Sequence, residues 1–196
     1  MRTKIILLIS MAITGTYFGA SCDKNNGGTD VKELPDPIRI TLRSAEEEMM
    51  RADQQFAFDF FANLFDEEAF TEDKNFMVSP LSLSMALAMT MNGAAGETDR
   101  VMKKTLQMDD YSKTEINSYY KKLKEALLKT DPTTKLSIAN AIFANRQVAV
   151  HPDFIKTNQL YYDATVQPVD FSDATTTDII NKWASDQTHG LIKKVI

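Results

Sequence analysis

The sequence predicts an α+β fold, in which N-terminal helices surround one buried helix and are followed by the first strands of a central sheet. Residues 79–91 are apolar at most positions, and residues 113–129 carry apolar side chains at helical spacing. Residues 135–145 alternate in the manner of a strand. Since 43% of the 196 residues are apolar and 25% are charged, the composition is that of a chain with a hydrophobic core.

The first 21 residues have the pattern of a secretory signal peptide. Arg2 and Lys4 precede an apolar run at residues 5–13, and the small residues at 19–21 follow it. We expect residues 1–21 to be removed on export, so they take no part in the folded domain.

Cys22 is the only cysteine of the chain, so it has no partner for an internal disulfide. The sequence Gly-Ala-Ser-Cys at residues 19–22 resembles a bacterial lipoprotein signal, whose cysteine receives the lipid. The match departs at Gly19, where a larger aliphatic residue is more usual. We expect Cys22 to be the lipid attachment site of an exported protein held at a bacterial membrane or cell surface; a free thiol is the alternative.

Residues 22–45 are polar and are interrupted by paired glycines and prolines, which favour coil over regular structure. We interpret them as a flexible tether that holds a domain at residues 46–196 clear of the membrane. Within that domain, residues 44–66 form the first predicted helix, with acidic residues 46–48 near its positive end. Its inner face is predicted from aromatic and leucine spacing as Phe56, Phe60, Phe61, Leu64 and Phe65.

Residues 76–78 predict a brief buried strand that leads into the apolar helix. Ser79 followed by Pro80 is a typical N-cap and first position of a helix. Asn92-Gly93 supplies a residue that can adopt the left-handed conformation at the helix end. Because the helix is apolar around most of its circumference, we expect other elements to cover it on all sides.

Two further helices are predicted before the first long strand. Thr98 is a candidate N-cap for one of them, with an inner face of Val101, Met102, Thr105 and Leu106. Residues 113–129 form the second, whose buried face has the spacing of an amphipathic helix. That face consists of Ile116, Tyr119, Tyr120, Leu123 and Leu127, and the remaining surface is rich in lysine, at Lys113, Lys121, Lys122, Lys124 and Lys129.

Residues 135–145 are apolar or small on both faces, which predicts an interior strand covered on each side. Asn140 lies on one of these faces, and a buried amide must find hydrogen-bond partners, so we expect it to bind the backbone of neighbouring elements. His151 and Pro152 then begin a helix that ends near residues 161–164.

The last predicted elements are an edge strand and a helix. Residues 166–171 contain Pro168, which cannot donate to a ladder and therefore belongs at a sheet edge. Ser172 or Asp173 caps the helix, and Gly190 ends it. Its predicted inner face is Ile179, Ile180 and Trp183.

Three separated segments, in order, resemble the serpins, the serine protease inhibitor superfamily. They are NFMVSPLSLSMALAMTMNGAAGET, SIANAIF and VQPVDFSDATTTDIINKWASDQTHGLI, and AFDFFANL is similar to the first serpin helix. The resemblance covers residues 46–196 and implies a partial serpin fold.

The resemblance implies a protease inhibitor that presents a reactive loop as bait and inserts the cleaved loop into its central sheet. It implies that Ser79, Ser82 and Asn140 are structural residues near the serpin shutter, where that sheet opens. In some serpins the helix equivalent to residues 113–129 binds a sulfated polysaccharide. We expect no glycosaminoglycan partner here, because a lysine-rich helix face is usually only solvated and Glu115 and Glu125 dilute its charge.

We expect no catalytic residue, cofactor or metal site. The two histidines, His151 and His189, are not in a pattern with a nucleophile, and the cysteine content offers no metal-ligand spacing. Acidic residues outnumber basic residues by 27 to 22, which argues against a nucleic-acid partner.

The resemblance places no reactive centre within the 196 residues, so we expect this chain to cover only the N-terminal half of a serpin. We expect it to be inactive and to fold without cooperativity on its own. Two functions remain open. One is an inhibitor of serine-type, or secondarily cysteine-type, endopeptidases, with the target protease as partner, and the other is a non-inhibitory, surface-tethered binding module on the serpin scaffold.

Overall fold

The structure, a computed structural model, describes residues 35–66 and 77–196. The predicted signal peptide, Cys22 and the first part of the tether lie outside the described residues. None of the helices in the described ranges is both long and apolar enough to span a bilayer. In chain order the elements are α1 (Ser44–Asp66), α2 (Pro80–Met91), α3 (Gly96–Thr105), α4 (Lys113–Thr130), β1 (Ala141–Asn145), α5 (Pro152–Tyr162), β2 (Thr165–Val169) and α6 (Thr175–Gln187).

Helix α2 lies at the centre of the helical layer and contacts α1, α3, α4 and α5. Ser79 is its N-cap, with an extended backbone and a hydroxyl that accepts the N–H of Ser82 at 3.3 Å. Pro80 occupies the first turn, where its missing N–H removes no helical hydrogen bond. The prediction of a central apolar helix is confirmed, and its most deeply buried side chains are Ser84, Met85, Ala88, Met89 and Met91.

Two details of α2 differ from prediction. Ser82, Ala86 and Thr90 form an exposed stripe, because no element of the described residues packs on this side of the helix. The helix ends at Met91 as predicted, but Asn92 remains right-handed, with a φ of −60°. At Gly93 a Cβ would lie 3.2 Å from the ring of Phe154 on α5, so a larger residue there would need that ring to shift.

Helix α4 supplies much of the core. Ser112 and Glu115 form a capping box at its N-terminus. Four of its five predicted inward residues are buried, and Leu127 is half-buried. The lysine prediction is wrong at Lys124, whose side chain is 4% exposed and pairs with Asp163. Position 124 lies one helical turn after Tyr120, so it falls within the buried face.

The inner face of α1 differs from prediction. Phe56 is buried, but Phe61 and Phe65 are 45% and 65% exposed. Phe60 and Leu64 are half-buried, so the predicted face is confirmed in part and is wrong at Phe61 and Phe65. Glu46 and Met49, in the first turns of the helix, are also buried, and aromatic spacing did not identify them.

Two strand predictions are wrong: the strand at residues 76–78 does not form among the described residues, and the strand at residues 135–145 is shorter than predicted. Phe76 lies outside the described residues, Met77 is 96% exposed, and residues 77–79 form no strand. Strand β1 begins only at Ala141, and Leu136 is 45% exposed. A strand forms where a ladder partner exists, and β2 lies beside residues 141–145 only.

The sheet of the described residues consists of β1 and β2, which are parallel and joined through α5. Ala141 pairs with Thr165 and Asn145 with Val169. Pro168 lies on β2, at an edge as predicted. Helix α5 begins after His151 and ends at Asp163, which adopts the left-handed conformation with a φ of 51°.

The boundaries of α3 and α6 are shifted from prediction. Helix α3 starts at Gly96, and of its predicted inward residues Leu106 is buried, Met102 is half-buried, and Val101 and Thr105 are exposed. The predicted caps are therefore wrong at Thr98 and, for α6, at Ser172 and Asp173. Helix α6 starts at Thr175 after Ala174, although the Asp173 carboxylate still accepts the Thr175 N–H at 2.9 Å. Its predicted inner face is only half-buried, at Ile179, Ile180 and Trp183.

Candidate functional site

A groove of about 440 Å³ opens at the N-terminal end of α2, between α2, α4, residues 136–139 and α6. Two of the three predicted structural site residues, Ser79 and Ser82, line it. The rest of its wall is mainly apolar and includes Leu81, Leu127, Ile138, Trp183 and Ile192. The groove therefore lies where the central helix, the strand segment and the last helix meet.

Ser79 and Ser82 contact each other, with 2.8 Å between the two Oγ atoms. Ser79 Oγ also accepts the backbone N–H of Ser82, which holds the first turn of α2. Both side chains are exposed in the groove wall. This geometry caps a helix. The two hydroxyls contact each other and the backbone N–H of Ser82, and neither of these contacts supplies the base that a nucleophilic serine needs.

Asn140 lies apart from the two serines and does not line the groove. Its side-chain Nδ2 donates to the backbone carbonyl of Tyr162 at 3.5 Å, and its backbone carbonyl accepts the N–H of Thr165 at 2.9 Å. The side-chain amide of Asn140 thus binds backbone at the end of α5, as predicted, and its backbone carbonyl binds the start of β2. The remaining predicted site residue, the lipid attachment site Cys22, lies outside the described residues.

Helix α6 packs over the two-stranded sheet through one aromatic contact. The rings of Phe143 on β1 and Trp183 on α6 meet edge to face, with centroids 5.9 Å apart. Trp183 Nε1 also donates to Thr165 Oγ1 on β2 at 3.3 Å. Asn181 of α6 also binds the segment that follows the helix. Its Oδ1 accepts the backbone N–H of Val195 at 2.7 Å, which holds that segment back along the helix.

Two charge clusters, each with one buried member, link helices of the layer, and the sequence does not predict either of them. Lys122 of α4 and Arg43 bind the carboxylate of Glu46, which is 3% exposed. Burial raises the pKa of Glu46, but the hydrogen bonds from Arg43 and Lys122 outweigh it and lower the pKa to about 2. The second cluster is the Lys124–Asp163 ion pair, which joins α4 to the end of α5.

Asp53 of α1 forms a third cluster, which contains no cation. Tyr119 and Tyr120 donate their hydroxyls to its two carboxylate oxygens at 2.7 and 2.8 Å. Burial raises the pKa of Asp53, and the hydrogen bonds to the tyrosines and to Ser84 only partly oppose it. Tyrosines at helical spacing were recognised in the sequence, but nothing there showed that a carboxylate of another helix faces them.

The last polar cluster joins three helices through amides. Asn92 after α2 binds both Asn117 on α4 and Asn158 on α5, and the hydroxyl of Tyr162 donates to Asn117 Oδ1 at 2.6 Å. Asn117 and Asn158 are almost fully buried.

Among the residues that the structure describes, no group of three acidic, cysteine or histidine side chains could hold a metal ion.

Comparisons with known proteins agree with this architecture. The family model described as "Serpin (serine protease inhibitor)" matches residues 51–196. Human antithrombin-III is 32% identical over 155 residues, which cover 76% of this chain and 33% of that protein. The leukocyte elastase inhibitor of Xenopus laevis is 33% identical over 153 residues, which cover 76% of this chain and 39% of that protein.

A solved structure shares both the fold and the sequence pattern. The thermophilic serpin tengpin, in its latent state, is 31% identical, with a TM-score of 0.67 over 81% of this chain and 41% of that chain. This chain spans about a third of the length of the curated relatives that it matches first.

Proposed function

Because this chain belongs to the serpin family, we propose that it forms the N-terminal part of an inhibitor of serine-type endopeptidases, with cysteine proteases as a second class of target. The observation that carries the proposal is the family match over residues 51–196. Antithrombin-III and leukocyte elastase inhibitor, two of the relatives, are protease inhibitors by name. Serpins in general act on proteases without being enzymes themselves, and we propose the same here.

The arrangement around β1 supports a role in strand insertion. Within the described residues, β1 pairs with β2 along one edge only, and α6 covers the pair through Trp183. A free strand edge can accept an additional strand through backbone hydrogen bonds. We propose that Ser79 and Ser82 at the groove, together with Asn140, are the shutter residues of this sheet.

We further propose that residues 1–21 are removed, that Cys22 carries the lipid, and that residues 22–45 tether the serpin domain at residues 46–196. The inhibitor would then act outside the cytoplasm, at a bacterial membrane or cell surface. What supports this is the sequence alone: a charged start, a short apolar run and a small-residue exit directly before the single cysteine. The proposed partners are a target protease and the membrane, with no glycosaminoglycan.

The test uses the product of the gene that encodes this sequence, isolated with an antibody against residues 46–196. It is incubated with trypsin-, elastase- and chymotrypsin-type proteases and examined by denaturing electrophoresis. The proposal expects a stable 1:1 complex with an active protease and none with the same protease lacking its nucleophilic serine. The 196 residues alone are expected to give no complex. If no protease of the panel is trapped and all are left active, the inhibitor proposal fails.

A second candidate function is a non-inhibitory binding module. One relative favours it: human corticosteroid-binding globulin, which is named for binding, is 28% identical over 161 residues and 81% of this chain. The groove beside Trp183 offers an apolar surface for such a role. The coding sequence downstream separates the two candidates. Small residues at the loop hinge would favour an inhibitor, whereas bulky residues or prolines would favour a binding module.

A further inference from the structure

The Asn92-Gly93 pair follows α2 at the junction of α2, α4 and α5. An asparagine that precedes glycine is prone to deamidation, because the unhindered glycine nitrogen can attack the side-chain amide. Gly93 N then forms a bond to Asn92 Cγ, and the side-chain nitrogen leaves as ammonia. Water opens the resulting cyclic imide to aspartate or isoaspartate, so the reaction needs no other reagent.

The folded structure opposes each part of this reaction. The attacking nitrogen is engaged, because Gly93 N–H donates to the carbonyl of Thr90 at 3.0 Å. Asn92 has a helical backbone with a ψ of −24°. The cyclic imide is a nearly planar ring of Gly93 N and the Asn92 atoms C, Cα, Cβ and Cγ, and a ψ of −24° holds Gly93 N well out of the plane of Asn92 C, Cα and Cβ.

The side chain of Asn92 is held as firmly as the backbone. Its Nδ2 donates to Asn117 Oδ1 at 3.2 Å and to Asn158 Oδ1 at 3.0 Å. Its Oδ1 accepts from Asn117 Nδ2 at 2.9 Å. The amide must leave all three bonds before it can rotate towards Gly93, so the reaction requires α4 and α5 to separate from the end of α2.

We propose that Asn92-Gly93 is a deamidation site gated by opening of the α2–α4–α5 junction, and that the product prevents the junction from closing again. In the closed junction the site is protected, and each opening exposes it. Local opening of this kind, short of global unfolding, is a general property of folded chains.

The irreversibility follows from the partners of Asn92. A carboxylate at this position would present oxygen to Asn117 Oδ1 and Asn158 Oδ1, where the amide donated hydrogen. Neither partner is free to turn its own amide. Asn117 Oδ1 accepts the Tyr162 hydroxyl at 2.6 Å, and Asn158 Nδ2 donates to Phe154 O at 3.0 Å. Closure would therefore bring two acceptors against a half-buried negative charge, to which only Asn117 Nδ2 of these three contacts would still donate.

The first experiment compares the folded product of the gene that encodes this sequence with a synthetic peptide of residues 87–97 in the same neutral buffer. Deamidation is followed by the one-dalton mass increase at Asn92 in a peptide digest and by enzymatic methylation of isoaspartate. We expect the folded chain to react at least about tenfold more slowly, since only its open population is reactive. Equal rates would overturn the proposal.

The second experiment changes the junction without changing Asn92 or Gly93. Asp163→Asn removes the partner of the buried Lys124 and suits the left-handed conformation of that position, so α5 should dock less tightly. Asp186→Asn removes the exposed Lys182–Asp186 pair on α6 and serves as the matched control. We expect Asp163→Asn to accelerate deamidation at least about threefold and Asp186→Asn to leave it unchanged. Equal rates in both variants and the unmodified chain would overturn the gating by α5.

Discussion

At the residue scale, α1 carries two carboxylates in opposite electrostatic surroundings. Glu46 and Asp53 are roughly two helical turns apart and face neighbouring parts of α4. Glu46 meets two cations, Arg43 and Lys122, and so is favoured in its charged form. Asp53 is half-buried and meets only hydroxyls, so its protonated form is favoured more than that of a carboxyl group in water.

Replacing Glu46 with glutamine should destabilise the chain at neutral pH and should matter much less in acid. The folded-state pKa is about 2 against an ordinary value of 4.5, so its stabilisation is present above pH 4.5 and is lost as the pH falls towards 2. We expect a loss of about 1 kcal/mol at pH 7, since the partner Arg43 is largely exposed. Urea titrations of helical circular dichroism at pH 7 and pH 3, on the whole product of the gene that encodes this sequence, would measure it. The exposed neighbour Glu47→Gln is the control, and an equal loss there would contradict the assignment.

Replacing Asp53 with asparagine should have the opposite pH dependence. A raised folded-state pKa means that the chain gains stability as the pH falls through it towards the unfolded value, and loses stability as the pH rises. Asp53→Asn mimics the uncharged form, so we expect a higher urea midpoint at pH 8 and little change at pH 4.

Tyr119→Phe provides the counterpart to this variant. It removes the donor at 2.7 Å from Asp53 but leaves the charge, so the urea midpoint at pH 8 should fall by an amount equivalent to about 1–2 kcal/mol. If Asp53→Asn lowered the midpoint at pH 8 as much as Tyr119→Phe does, the uncompensated charge would not be the cause.

Residues whose role depends on their own helix were predictable, and residues whose role depends on another helix were not. Ser79 and Pro80 identify a helix start by local chemistry, and the structure confirms both. Lys124 could have been assigned to the buried face from its spacing after Tyr120, but its partner Asp163 follows α5. The Asn92–Asn117–Asn158 cluster joins positions far apart in the chain, and no local pattern shows such a contact.

At the element scale, the sheet is limited by pairing. Residues 135–140 have the alternation of a strand, yet β1 forms only where β2 runs alongside it. The same reasoning explains residues 77–79, which form no strand in the described structure. Sequence alternation therefore predicts which residues can form a strand, while the ladder partner decides how many of them do.

Truncation of Phe143 should loosen α6 from the sheet. Phe143→Ala removes the edge-to-face contact with Trp183, through which β1 and α6 pack together. Hydrogen exchange measured by mass spectrometry should become faster in α6 and in β2, since Trp183 also bonds Thr165. Exchange in α4 should not change.

The matched control is Phe171→Ala, which removes a phenylalanine that is 57% exposed after β2. It should leave the exchange of α6 at the level of the unmodified chain. If both variants accelerated α6 equally, docking of this helix would not depend on the Phe143–Trp183 contact.

At the scale of the whole molecule, much apolar surface of the described residues faces solvent. Phe58 and Phe65 on α1, Met77 before α2 and Leu191 after α6 are all more than half exposed. Surfaces of this kind are typical of regions that another chain or segment covers. They support the proposal that this chain is the N-terminal part of a serpin.

The proposed membrane attachment depends on a single residue, Cys22. We expect the unmodified protein, expressed in a bacterium, to incorporate radioactive fatty acid and to partition into the detergent phase. Each buried methylene of an acyl chain contributes about 0.8 kcal/mol to the free energy of bilayer binding. Cys22→Ala has no atom to which the lipid can be attached, so it should lose both the label and the partitioning. Gly19→Leu restores the aliphatic residue that is usual before such a cysteine, so it should keep or increase the label. Partitioning of Cys22→Ala into the detergent phase would show that the anchor lies elsewhere, and the tether at residues 22–45 would then need another role.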